Sequence, residues 1–108
     1  MGTKRITAIV PTELLPTLEA HLRRCGVPGI TVEHVRGYGE HPNFFRHDLM
    51  RDNVRVILYA DAGEVDEYVD EIRKCADECD AQCGVLTVES IDRLVRLTRE
   101  DVDASGKG

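Results

Sequence analysis

No apolar run in the chain approaches the roughly 20 residues needed to cross a bilayer, so a membrane-spanning helix is not expected. An excess of base is missing too. The 14 Lys and Arg stand against 20 Asp and Glu, a formal net charge of −6, which argues against a nucleic-acid binder whose affinity rests on a basic face. Lys4 and Arg5 lead into only a short apolar run, so no secretory signal is read and a cytoplasmic protein is expected. The four cysteines are then read as reduced thiols rather than disulfides. They contain no Cys-x-x-Cys pair, and the chain lacks a convincing nucleophile–base pair, so an enzyme is not expected.

What is present describes a globular domain: 108 residues, 42% hydrophobic and 31% charged. A single domain of this size buries a modest core and gains from a neighbouring subunit. Taken in order, Ile6, Ala8 and Val10 alternate with Thr7 and Ile9 as a strand over Arg5 to Val10, ended by Pro11. Thr12 is a candidate helix N-cap, Glu13 suits the positive end of the helix dipole, and Pro16 is tolerated in the first turn. Leu14, Leu15, Leu18, Leu22 and Cys25 recur at helical spacing until Gly26 supplies the stop.

The stretch Val27 to Gly39 organises the rest. Ile30, Val32 and Val35 are β-formers between the Pro28-Gly29 pair and the glycines Gly37 and Gly39. Two glycines around Tyr38 let the backbone take positive φ and let another molecule approach its N–H groups, as an anion site requires; a plain hairpin exit fits the same residues. Glu40 to Asp52 has no period and is long for a connection, so a functional or disordered loop is read there. It carries His41, Arg46, His47 and Arg51, and the Phe44-Phe45 pair suits docking onto a partner or folding back on its own domain.

Val54, Val56 and Leu58 alternate with Arg55, Ile57 and Tyr59 as a third strand. Val65, Tyr68, Val69, Ile72, Cys75, Ala76 and Cys79 then define a second amphipathic helix, acids early and bases late. Val85 to Val88 is a fourth strand, Leu94 to Leu97 a short extended or helical piece near Arg93, Arg96 and Arg99, and 101–108 a disordered tail. Strand, helix, strand, strand, helix, strand gives an α+β ferredoxin-like βαββαβ sandwich, a four-stranded antiparallel sheet with both helices on one face. The other face, with Thr7, Ile9, Val35, Arg55 and Ile57 available to it, is expected to be covered in an oligomer.

The opening Ile6-Thr7-Ala8-Ile9-Val10, the Gly29-Ile30-Thr31-Val32 turn and strand, the Val35-Arg36-Gly37-Tyr38-Gly39 exit, the third strand closed by Asp, and the ending Arg93-Leu94-Val95-Arg96-Leu97 resemble the PII signal-transduction family. The resemblance runs through Glu100 and implies a PII-like domain over 1–100. It implies a homotrimer that binds an adenine nucleotide in each inter-subunit cleft and docks a long T-loop, here about 40–52, onto transporters or enzymes. By position, Ile9, Thr31, Gly37, Gly39, Leu58 and Gly84 would lie near the nucleotide and Arg96 would meet its phosphates. His41, Phe44, Phe45, Arg46 and Arg51 would belong to the partner-binding loop. The nucleotide would act by population shift, binding one loop state more tightly than another.

The departures sharpen the reading. The family's modification-site tyrosine has no counterpart, so uridylylation is not expected. Its Gly-Asp-Gly-Lys phosphate loop is here Gln82-Cys83-Gly84-Val85, without the lysine. Its second late arginine is replaced by Thr98, which favours ADP or AMP over ATP. The short T-loop resembles divergent, transporter- or carboxysome-associated members, for which bicarbonate is a candidate co-ligand in inorganic-carbon metabolism. Cys75, Cys79 and Cys83, at steps of four, offer an alternative: a metal- or redox-responsive PII-like sensor, if the helix carries all three thiols on one face. Cys75 and Cys79 also continue the apolar stripe as inert buried thiols. The histidines His21, His34, His41 and His47 are not spaced as a site.

Overall fold

The structure, a computed structural model, describes residues 2–37, 51–78 and 84–97. The elements follow the expected order: β1 (Thr3–Pro11), α1 (Leu15–Arg24), β2 (Thr31–Gly37), β3 (Arg51–Asp61), α2 (Val65–Asp77) and β4 (Val85–Ile91), with a single 3-10 turn before each helix, Thr12–Leu14 and Ala62–Glu64. The four strands form one sheet in the order β2-β3-β1-β4, antiparallel at every pairing. This is the ferredoxin-like sandwich.

The period-2 pattern of the central strands decides which face is covered. Ile6, Ala8 and Val10 of β1 and Val54, Val56, Leu58 and Ala60 of β3 are buried, together with Leu18 and Leu22 of α1 and Val65, Tyr68, Ile72 and Cys75 of α2. Helical steps of three and four on α2 meet strand steps of two on the sheet, which makes one core. On the opposite face the register sets up rows: Val35 and Pro11 flank Asn53, Glu33 and Ile9 flank Arg55, Thr31 and Thr7 flank Ile57, Arg5 lies beside Tyr59, and Thr3 beside Asp61. Thr7, Ile9, Val35, Arg55 and Ile57 are only half-buried there.

Four expectations change. Thr12 does not cap α1: the helix begins at Leu15 without a side-chain cap, and the Thr12 hydroxyl is buried with no hydrogen-bond partner among the described residues. Pro11 and Pro16 carry the start instead, since neither needs an N–H bond. The loop expected over 40–52 ends sooner, because Arg51 and Asp52 already pair with Gly37 and Arg36 in β3, and Arg36 Nε lies 3.3 Å from Asp52 Oδ1. Gly37 is an ordinary strand residue, since the one glycine with positive φ among the described residues is Gly26, at 94°. Finally, α2 stops at Asp77 with Glu78 as its cap, so the single helix face that would carry Cys75, Cys79 and Cys83 does not extend that far.

Gly26 does what the sequence asks of it. Its N–H donates to Arg23 O at 3.1 Å and the Val27 N–H donates to Leu22 O at 3.0 Å, the paired bonds of a left-handed glycine closing a helix.

Candidate functional site

The residues singled out from the sequence fall at opposite ends of the sheet. At the end where β1 stops, Gly84 sits on Ile9 so closely that a Cβ built on it would lie 1.8 Å from the Ile9 carbonyl oxygen. No side chain fits there. Val85 then pairs with Ile9 to open β4. Gly37 closes β2 two rows further along, opposite Arg51, with no described residue within 4 Å of the position its Cβ would take. Within one chain Gly84 is therefore required by packing, whereas nothing among the described residues requires glycine at Gly37.

At the other end, Arg96 lies on a cleft of about 260 Å³ whose lining includes Thr3, Gly26, Pro28, Tyr59, Asp61, Glu64, Tyr68 and Leu94. This cleft is built by the β3–α2 junction. Asp61 and Glu64 form a reciprocal capping box, with the Asp61 N–H donating to Glu64 Oε1 at 3.4 Å, so two donors that a helix start leaves unpaired are satisfied. Glu64 Oε2 accepts from the Tyr68 hydroxyl at 3.3 Å. Burial first, and then the Glu64 charge, push the Tyr68 phenol up from its ordinary range, so it stays a neutral donor. The sequence reading used Asp61 only as a strand end; Asp-x-x-Glu before an apolar run was the signal that could have found the box. The lining thus brings together a phenol ring, Tyr59, the carboxylates Asp61 and Glu64, and a guanidinium, Arg96. Such a cleft offers an aromatic face, an acceptor and a cation that matches phosphate geometry.

Thr31 stands exposed at the start of β2, paired with Ile57. Leu58 is a correction: it is 1% exposed and faces the helices, so its side chain cannot line a ligand site. Gly39, His41, Phe44, Phe45 and Arg46 lie outside the described residues, as do Cys79 and Cys83, the 101–108 tail and Thr98. Of Arg51, the backbone in β3 is described. The Cys75 thiol is fully buried and pushed up, first by that burial and then by Glu78 and Glu71. A protonated thiol is a poor metal ligand, and no group of three or more metal-binding side chains occurs among the described residues. The metal or redox alternative is not favoured.

Between Gly37 and Asp61, beside Arg96's cleft, lie ten residues of β3, a span of roughly 33 Å at the usual strand rise. One copy cannot bring the glycine end and the arginine end together. The molecule is thus a ferredoxin-like module with a sheet face that no described helix covers and candidate ligand residues divided between the two ends of that sheet. The chain belongs to the P-II family: the model described as nitrogen regulatory protein P-II matches residues 3–101. It is similar to nitrogen regulatory protein P-II 2 of Methanothermobacter thermautotrophicus, 28% identical over 102 residues that cover 87% of this chain and 88% of that one. Its fold is similar to that of Arabidopsis thaliana PII in a crystal structure bound to citrate, with a TM-score of 0.75 and 22% identity over 89% of this chain and 83% of the plant chain. No helix among the described residues is long and apolar enough to cross a membrane.

Proposed function

We propose that this P-II family regulatory protein works in the cytoplasm as a homotrimer that binds an adenine nucleotide between subunits and signals occupancy to a transporter or metabolic enzyme through residues 40–50. The observation that carries the reading is the division of the site. Ile9, Gly37 and Gly84 at one end and Arg96 at the other serve one ligand only if a second copy places its arginine end against the first copy's glycine end. The open face suits such contact. Half-buried Ile9, Val35 and Ile57 lie among charges that are already paired: Arg5 Nε donates to Glu89 at 2.9 Å and Arg55 lies 3.4 Å from Glu33, so covering the face strands little uncompensated charge.

ADP or AMP is favoured over ATP because the segment before β4 has no lysine and Thr98 stands where a second arginine would serve the outer phosphates. Bicarbonate is the co-ligand to try first, with citrate beside it, since the plant neighbour is described bound to that anion. The protein acts as a switch rather than a catalyst.

Light scattering on the eluting protein tests the assembly, with three copies of the 12.1 kDa chain expected; a monomer would end the reading. Calorimetry with AMP, ADP and ATP, each with and without bicarbonate, tests the ligand. The expected order is ADP or AMP tighter than ATP, and heat from none of them would refute the nucleotide while leaving the family untouched.

A further inference from the structure

Two tyrosines line the Arg96 cleft, and the fold uses them in opposite ways. Tyr68 is 3% exposed and gives its hydroxyl to Glu64, whereas Tyr59 is 42% exposed. Tyr59 stands on the sheet face that no described helix covers, in one row with Arg5 of β1 and Glu89 of β4. Arg5 Nε donates to Glu89 Oε1 at 2.9 Å. The Arg5 guanidinium is pushed up first by that bond and by the Glu89 charge, and then, against the opposing effect of burial, by the hydrogen bond it donates to the Tyr59 hydroxyl. The polar end of the ring is therefore tethered on the β1 side. On the other side β2 begins only at Thr31, opposite Ile57, so no residue of β2 pairs with Tyr59. The cleft of about 260 Å³ has Gly26, which carries no side chain, and the apolar Pro28 and Leu94 among its walls. A single exposed aromatic is ordinary by itself. This one is held by its hydroxyl and shares a cleft with a guanidinium.

We infer that Tyr59 is the surface on which the base of the nucleotide stacks, and that Arg5 is the positioning residue that holds its ring in place. The inference rests on the nucleotide reading and adds to it the residue that recognises the base. A phenol ring has only two torsions to fix, so it presents a flat π-face at little entropic cost, and bases stack on such faces. Arg96, on the same cleft, answers the phosphate. The two side chains then divide the ligand between them. Because every base has a π-face, Tyr59 separates nucleotides from base-free sugar phosphates without choosing among the bases.

Nuclear magnetic resonance of the full chain with labelled tyrosine rings tests it, beside calorimetry. The chain has three tyrosines, so Tyr59→Phe assigns the Tyr59 ring signals by difference. The ligand is whichever of AMP, ADP and ATP binds the wild type most tightly, and ribose 5-phosphate is the base-free control. The Tyr59 ring signals should move upfield with the nucleotide and stay in place with ribose 5-phosphate. Tyr59→Leu should weaken nucleotide affinity about tenfold, and Tyr59→Phe, which keeps the ring, by less than about threefold. Arg5→Met should fall between them and show a smaller ring shift. If leucine disturbs the assembly, the wild-type spectrum decides. A wild type that binds the nucleotide without moving the Tyr59 ring overturns the base platform and leaves the nucleotide reading standing, and so does a phenylalanine variant as weak as the leucine one. Binding and ring shift unchanged in Arg5→Met overturn the positioning role. A wild type that binds no nucleotide overturns both readings.

Discussion

The two ends of the sheet are built by different means. Where β1 runs out at Pro11, close contacts are made by main chain: Gly84 lies on the Ile9 carbonyl, and the Thr12 hydroxyl is buried with no hydrogen-bond partner among the described residues. Where β3 runs out at Asp61, they are made by side chains that satisfy one another, Asp61 with Glu64 and Glu64 with Tyr68. A backbone contact is all-or-none, since a single added carbon has nowhere to go, whereas a side-chain network can be trimmed one bond at a time. The glycine end should therefore fail abruptly on substitution and the arginine end in steps.

Gly84→Ala is the harshest test of that contrast. The added methyl would overlap main-chain atoms of Ile9 that β1 holds in two ladders, so the start of β4 must shift, at a cost of about 3 kcal/mol. Urea unfolding would register it as a lower midpoint. An alanine variant as stable as the wild type would mean that the close approach has no energetic consequence. Gly37→Ala, with no described residue within 4 Å of the added carbon, should change the stability of the isolated fold far less, so a large effect on assembly or ligand affinity would point to contacts beyond those of the described residues.

Arg96→Ala comes next and should act on binding rather than folding. The residue sits on an open cleft outside any helix or strand. On the proposed reading it makes a charge-assisted phosphate contact whose loss weakens nucleotide affinity by about 1.5–3 kcal/mol. Calorimetry would detect it. An unchanged dissociation constant together with an unchanged unfolding midpoint removes Arg96 from the site and leaves its end of the sheet with no ligand role.

The same contrast explains what could be read before the structure. The sandwich was legible because hydrophobic period and turn chemistry agree along the chain: Ile6, Ala8 and Val10 share one face, and Val65, Tyr68 and Ile72 share one helical stripe. Residue identity alone misled at Leu58, whose place in a third strand was right but whose face belongs to the core, and at Thr12, where a good capping residue follows a proline that extends the strand into a 3-10 turn. Tyr59 reads in the sequence only as one of the alternating residues of β3, because Arg5, which tethers its hydroxyl, lies on β1. Pairing across strands has no local signature. The division of Gly37 from Arg96 was invisible for the same reason, since the register of β3 alone sets their distance.

The finest comparison is between the two strand-to-helix junctions, one at each end. Asp61→Ala removes the side chain that bonds the first turn and breaks the reciprocal box, and should destabilise by about 1 kcal/mol. Thr12→Val at the matching junction should do the reverse. It keeps the β-branched shape while exchanging a buried hydroxyl without a partner among the described residues for a methyl, so the penalty for dehydrating that oxygen disappears and stability rises by about 0.5–1 kcal/mol. Both are read from urea midpoints at unchanged slope. If Thr12→Val instead destabilises as much as Asp61→Ala, the Thr12 hydroxyl does have a partner in the assembled protein, and the first junction is satisfied across a subunit boundary rather than left open.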